Sequence, residues 1–356
     1  MVSQVSELNG GTAGSRVLRG LRLSPTLYLL GILAAIVAAF AYHTVRNGIF
    51  GCPARGYDES RYLGYCHGTA YGDYDHGAIW FDLEPGVRVA SAEADVLFLG
   101  NSRMQFGFSA PALGRWFAAN GFSYYLLGFS HNETFKFTAA LLANIRPQAR
   151  AYVIDVDKFF FDWASPPANE VMNGTEARSR YALKRAWQAP HREICGWWPA
   201  LCGESIAFYR QRRTGEWRWD GGSKDFVPAA IESDEVVFPK GNPEQLLSMI
   251  TANARRFIAG LEVEPGCVIL TYVPTTENNR FVANAVASAL GQKLIAPQGA
   301  GLRTFDGSHL DRDSAEQFAA AFFAEAGPRL RRCLDRKLAP APGNSGPDAR
   351  SKEDNP

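Results

Sequence analysis

The sequence predicts a three-layer α/β/α sandwich around a parallel sheet, preceded by one N-terminal transmembrane helix. Two observations carry that expectation. From residue 95 onward strand-like and helix-like segments alternate, and residues 25–45 form an apolar run without Asp, Glu, Lys or Arg. Strands that alternate with helices build a parallel sheet covered on both faces and joined by right-handed crossovers. About 20 apolar residues rising ~1.5 Å each cover a hydrocarbon core of ~30 Å.

Taken in order, residues 1–24 are a tail carrying Arg16, Arg19 and Arg22 against one acid, Glu7. By the positive-inside bias this tail stays cytoplasmic and the rest is exported. The expectation is a single-pass inner-membrane protein with its folded domain periplasmic. A cleavable signal peptide is the competing reading, because Ala39-Phe40-Ala41 has the small-x-small form of a cleavage site. A buried soluble helix fits poorly, since the run is apolar on every face. Both leading readings export the domain.

The cysteines agree with export. Cys52, Cys66, Cys195, Cys202, Cys267 and Cys333 are six in number. An even count beyond a membrane segment reads as disulfides in an oxidising compartment, with about 15 connectivities open. Cys52/Cys66 and Cys195/Cys202 each bracket a short segment, which favours pairing by proximity without deciding it. No CxxC or HxxxH spacing occurs, so no metal site is expected.

Residues 46–94, rich in Gly, Tyr and Asp, read as a disulfide-pinned juxtamembrane region. The α/β domain then spans 95–335. Its strands are expected at 96–99, 124–127, 151–156, 267–273 and 293–296. Its helices are expected at 110–120 with Ser109 as N-cap, and at 133–143, 243–261, 281–290 and 314–334. Residues 159–240 interrupt this pattern and hold six of the eight tryptophans among many arginines. They read as an insertion after the third strand. Residues 336–356 read as a disordered tail. A net charge of +1 without a long basic block gives no case for nucleic acid.

Ser102 follows the first apolar strand, Val96-Leu-Phe-Leu99, at the strand end where open α/β sheets bind ligands. A serine on a strand-to-helix turn presents its hydroxyl outward, with backbone N–H groups beside it for an oxyanion. The bland alternative is a helix N-cap. Far downstream, Asp306-Gly-Ser-His309 puts a carboxylate three residues before an imidazole. That spacing lets Asp306 fix the tautomer of His309, leaving its Nε2 to take a proton from a hydroxyl that is un-ionised at neutral pH. The bland alternative is capping of the last helix, a role Asp311 is placed to fill without Asp306.

With these residues in view, the chain resembles the SGNH/GDSL-type hydrolase superfamily. Leu99-Gly100-Asn101-Ser102-Arg103 looks like its serine block, Gly128 its glycine block, and Asp306-Gly-Ser-His309 its Asp-x-x-His block. The resemblance covers about residues 95–335. It departs after the third strand, where a Gly-x-Asn-Asp block is replaced by Ile154-Asp155-Val156-Asp157-Lys158. No amide side chain stands there to hold an oxyanion, a loss on the order of 3 kcal/mol in other hydrolases. Asn132, Lys158 or an arginine of the insertion is positioned in sequence to substitute.

The resemblance implies Ser102 as nucleophile, His309 as base then acid, Asp306 as its orienter, and Ser102, Gly128 and Asn132 at the oxyanion. It requires no cofactor and no metal. With the N-terminal anchor, the pattern is more similar to envelope acyl-transfer proteins, such as those of alginate O-acetylation and teichoic acid D-alanylation, than to soluble lipases. The implied partners are the membrane, an acyl donor or envelope carbohydrate, and a multi-spanning acyl-exporting membrane protein. Arg103, Trp197 and Trp198 are candidate substrate contacts, because aromatic faces pack on sugar rings and arginines bond their hydroxyls. The alternative is that such tryptophans are simply a small subdomain core. The rival for the whole chain is a non-catalytic glycan-binding or scaffold protein of the same fold, supported by the missing asparagine.

Overall fold

The computed structural model describes residues 25–108, 111–220, 227–231, 242–277, 280–299 and 301–335. The expected tails at 1–24 and 336–356, and Ser109, lie outside the described residues. The chain divides into two units, Met1–Val45 and Arg46–Pro356. Helix α1 (Pro25–Asn47) begins in the first. Its stretch Pro25–His43 has the length and composition of a membrane span, and its residues are exposed.

In the second unit a single turn of 3-10 helix, Ile49–Gly51, leads to β1 (Arg61–Cys66) and β2 (Gly72–Asp73). Two short helices follow, α2 (Asp75–Trp80) and α3 (Val87–Ala92). The α/β alternation then starts with β3 (Val96–Asn101), which runs directly into α4 (Ser102–Phe108). Next come α5 (Pro111–Asn120), β4 (Tyr124–Phe129), α6 (Phe135–Ile145) and β5 (Ala151–Asp155). Helix α6 starts two residues later than its pattern suggests. Thr134 caps it through its side chain, and the carboxylate of Glu133 is engaged elsewhere.

The insertion supplies α7 (Pro166–Asn173), α8 (Ala177–Trp197), β6 (Ala207–Gln211), β7 (Trp217–Asp220) and the two-residue β8 (Ala229–Ala230). The chain closes with α9 (Pro243–Ala259), β9 (Val268–Thr271), α10 (Arg280–Ala289), β10 (Leu294–Ile295), β11 (Arg303–Thr304) and α11 (Arg312–Asp335). Strand β9 starts one residue later than expected because Pro265–Cys267 form a 3-10 turn, and it ends at Thr271, two residues early.

Five parallel strands lie in the order β10-β9-β5-β3-β4. Numbered along the chain this is the doubly wound order 2-1-3-4-5, whose direction of winding reverses between β3 and β5. Ligand crevices form at that reversal, outside the carboxyl ends of the two strands. Ser102 follows the one strand and Asp157 follows the other.

The sheet is covered on both faces. Val96, Phe98, Val153 and Ile269 pack with Phe108, Phe117, Phe318 and Phe322 of α4, α5 and α11. Leu97, Leu99, Ile154 and Leu270 pack on the opposite face with Leu141, Ile250, Phe257 and Val286 of α6, α9 and α10. Alternate residues of each strand thus feed two cores, and every side chain of β3 is buried.

β1 from the juxtamembrane region pairs antiparallel with β6 from the insertion, giving one four-stranded sheet, β2-β1-β6-β7. Neither region completes a sheet alone, so the two form one module inside the Arg46–Pro356 unit. The turn between β6 and β7 sits on the edge of the central sheet, where Leu126 N–H donates to the Thr214 carbonyl at 2.8 Å. Gly215 has φ of 71° there, and a Cβ would fall 2.4 Å from the Leu126 carbonyl oxygen, so only glycine fits.

Arg210 of β6 fastens the two sheets together. Its fully buried guanidinium grips Asp75 through Nε at 2.7 Å and Nη2 at 2.6 Å. It also donates to the carbonyls of Leu126, Gly215 and Gly128. Such a charge is tolerable only because its donors all find acceptors. The disulfides are Cys52–Cys66, Cys195–Cys202 and Cys267–Cys333. The last ties the start of β9 to the end of α11.

Candidate active site

Ser102 is the first residue of α4, so its N–H has no acceptor within the helix. Asn101 shapes the turn that presents it. Its Oδ1 accepts the Arg103 N–H at 2.8 Å, and its Nδ2 donates to the Asp157 carbonyl at 3.3 Å. One amide therefore links the β3–α4 turn to the end of β5.

His309 arrives on a tight loop between β11 and α11. The loop is closed by the Thr304–Leu310 bridge and by Phe305 N–H donating to the His309 carbonyl at 3.0 Å. Gly307 turns it with φ of 83°. Asp311 caps α11 by accepting the Ser314 N–H at 2.9 Å, which leaves Asp306 free of that role.

The loop brings the three residues into a chain. His309 Nε2 lies 2.8 Å from Ser102 Oγ, and His309 Nδ1 lies 2.7 Å from Asp306 Oδ2. Asp306 Oδ1 also accepts the N–H groups of Ser308 and His309 at 2.9 and 2.8 Å. Burial pushes the Asp306 carboxyl up, but the His309 hydrogen bond and charge and these two amides outweigh it and hold the acid below its usual range. An ionised Asp306 fixes the proton on Nδ1, so Nε2 is the acceptor facing the serine hydroxyl. His309 is also flanked by Phe106 at 4.8 Å and Phe305 at 5.6 Å between ring centroids. Phe106 sits one helical turn after Ser102, a spacing that was readable in the sequence.

Gly128 stands in register with Gly100, beside the serine turn. A Cβ there would fall 2.6 Å from the Asn101 carbonyl oxygen, so glycine is required for the close approach. Asn132 lies on an exposed turn with φ of 51°. His131, at φ of 61°, packs edge-on against Tyr65 on the same turn.

The end of β5 supplies no amide donor. Asp157 is buried and paired with Arg103, and Lys158 bonds Glu277 at 2.9 Å. Asp155 is wholly buried; burial first and then the Asp157 charge push its carboxyl well above the usual range. Arg103, a candidate substrate contact, is 3% exposed. Its buried guanidinium is spent on Asp157, on Ser308 Oγ at 3.1 Å and on Glu277 at 3.3 Å. Because Ser308 lies between Asp306 and His309, Arg103 connects α4 to the loop that carries His309.

Beside the triad lies a cavity of about 800 Å³. Phe106 and Phe305, the two rings on His309, line it together with Trp217, Trp219, Arg218 and Arg312. Trp197 and Trp198 are not among its lining residues. Trp197 is the last residue of α8 and Trp198 follows it, both inside the loop closed by Cys195–Cys202. The tryptophans at the cavity come instead from β7, where the Trp-Arg-Trp alternation places both on one face of the strand.

No protein-family model, no characterised protein and no solved structure matches this chain.

Two other clusters hold titratable groups. His76 is fully buried between Asp73 and Glu133, with both ring nitrogens at 3.0 Å from a carboxylate oxygen. Burial opposes its charge, but Asp73 and Glu133 prevail and push the imidazole up to about 10. With both nitrogens engaged and no exposure, this is a structural ion cluster between the two sheets. His191, Cys195 and Cys202 are the group among the described residues with metal-ligand proximity. Its sulfurs are bonded to each other, and the imidazole is held by Tyr57 and the Cys52 carbonyl.

Proposed function

We propose that this chain is an exported, membrane-anchored serine esterase or O-acyltransferase of SGNH type, acting on a cell-envelope carbohydrate. The observation that carries the reading is the unbroken Asp306–His309–Ser102 chain, at 2.7 and 2.8 Å, standing at the reversal point of the sheet. In the proposed reaction Ser102 Oγ attacks an acyl carbonyl while its proton passes to His309 Nε2. The developing oxyanion meets the Ser102 N–H and the glycine turn at Gly128. Collapse expels the donor's alcohol, which takes the proton from His309. A sugar hydroxyl, or water, then attacks the acyl-serine by the reverse sequence, with His309 as base and then acid.

The neighbouring cavity suits an acceptor sugar. Trp217 and Trp219 offer aromatic surface, and Arg218 and Arg312 offer donors to hydroxyls or carboxylates. In this reading α1 is retained with the N-terminus cytoplasmic, the Arg46–Pro356 unit is periplasmic, and a multi-spanning acyl exporter is the donor-side partner. Three disulfides suit that oxidising location.

A second reading, a non-catalytic scaffold of an envelope-modification complex, is favoured by the absence of an amide side chain just after β5. The Ser102→Ala variant separates the two. An enzyme loses its biological activity with that hydroxyl, and a scaffold keeps it.

A further inference from the structure

We infer that Asp155 is a positioning residue for the reaction at Ser102: its carboxyl locks the ends of β5 and β9 behind the serine turn, and does so as the neutral acid. The inference rests on the reading of Ser102 as a nucleophile and goes beyond it.

Asp155 is the last residue of β5 and is wholly buried. It backs onto the turn that presents Ser102. A Cβ on Gly100, two residues before the serine, would fall 3.2 Å from the Asp155 Cβ. Asp155 Oδ1 accepts the Asp157 N–H at 3.4 Å and the Val273 N–H at 3.3 Å. Both donors sit two residues past a strand end, Asp157 after β5 and Val273 after β9. Each is engaged in turn with the residues around Ser102. Val273 packs on Gly107 of α4, where a Cβ would come within 2.8 Å of its Cγ2. Asp157 accepts Asn101 Nδ2 on its carbonyl and Arg103 on its carboxylate. Arg103 then holds Ser308, the residue before His309. One carboxyl thus stands behind the contacts that aim both Ser102 and His309.

The other carboxyl oxygen decides the protonation state. Asp155 Oδ2 is buried and has no hydrogen-bond partner among the described residues. The hydroxyl of Thr271, the residue opposite Asp155 on β9, is buried without a partner as well. An ionised carboxylate pays heavily for a bare oxygen in such a place, whereas protonation turns that oxygen into a donor. The charged groups that face Asp155 are the Asp157 carboxylate and the Arg103 guanidinium of α4. Gly100 of β3, Thr271 of β9 and Val273 beyond it bring no charge. Arg103 is committed to Asp157, so a negative charge on Asp155 would stand beside a like charge with no cation of its own. Burial first, and then the Asp157 charge, accordingly push this carboxyl up. Once ionised, Asp155 competes with Asp157 for Arg103 and loosens the hold on Ser308.

The test follows acetylation of Ser102 by an activated acetyl ester, in the full chain in detergent, from about pH 6 to about pH 10, with the acetyl group read on the peptide that carries Ser102. Asp155→Asn is the variant to compare, because an amide keeps the acceptor oxygen and places permanent donors where the neutral acid has its proton. The expected parent rate falls on the alkaline side as Asp155 ionises. The variant rate lies within about threefold of the parent at about pH 7, does not fall, and exceeds the parent by on the order of tenfold at about pH 10. With Ser102 of the parent acetylated, the proposal is overturned by a parent without the alkaline fall, a fall that persists in the variant, a variant slow at every pH, or a variant that does not fold. A folded parent acetylated on Ser102 at no pH overturns the nucleophile reading and this inference with it.

Discussion

Arg103 offers the sharpest separation of stability from positioning. It lies one residue after Ser102, is 3% exposed, and bonds Asp157, Ser308 and Glu277. Replacing Arg103 with Met keeps most of the stem packing but takes from the buried Asp157 carboxylate its arginine partner, which costs up to about 3–5 kcal/mol of stability. It also frees Ser308, the residue between Asp306 and His309. A displacement of His309 by ~1 Å lowers reaction at Ser102 on the order of 100-fold. The two effects part in the double variant Arg103→Met/Asp157→Leu. Removing both charges restores most of the stability, since an apolar pair fills a buried ion-pair site at little cost. It does not restore the hold on Ser308. The assay is denaturant unfolding of the full chain in detergent, paired with the rate at which an activated acetyl ester acylates Ser102. Recovery of stability with labelling still depressed is the expected outcome. Recovery of both would show that Arg103 acts only through Asp157 and would refute the positioning argument.

Other expectations follow from the same structure. Asp306→Asn keeps the loop but favours the wrong His309 tautomer, so acylation of Ser102 falls by on the order of 10⁴-fold with unfolding little changed; an effect below tenfold would remove Asp306 from the chemistry. Removing the Cys267–Cys333 bridge, which closes a 66-residue separation, costs up to about 4 kcal/mol by the chain-entropy relation, read as a lower unfolding midpoint. His76 carries its proton up to about 10 in the folded state, against about 6.5 when unfolded. Its contribution is thus complete below pH ~6.5 and is lost as pH rises toward 10. The stability gap between the parent and His76→Gln should narrow over that window, and a gap that does not change with pH would contradict the charged cluster.

Much of the α/β half was legible from sequence because each strand there is a continuous apolar run and each helix carries a 3.6-residue period. The five strands at 96–101, 124–129, 151–155, 268–271 and 294–295 lie within about two residues of their expected limits. The proximity of Ser102, Asp306 and His309 was likewise an expectation from block order. What escaped was nonlocal. β1 meets β6 across some 140 residues, and the register shift between Leu63 and Tyr65 blurs its alternation. Arg210 looks like a surface residue until the fold brings Asp75 to it from 135 residues away, and His76, with Asp73 only three residues before it, gains Glu133 from 57 residues away. Arg103 seemed free for a substrate because its acid, Asp157, comes from a strand more than 50 residues away. The tryptophans that line the cavity, Trp217 and Trp219, carried a signal of their own in the period-two Trp217-Arg-Trp219.

The central claim is that Ser102 is an activated nucleophile. Mass spectrometry of the purified protein after exposure to an activated acetyl ester tests it directly, with Ser102→Ala alongside. The account predicts one added acetyl group on the native protein, mapped to Ser102 and absent from the variant. Folded native protein that gains no acetyl group, or a gain that survives in Ser102→Ala, would contradict it.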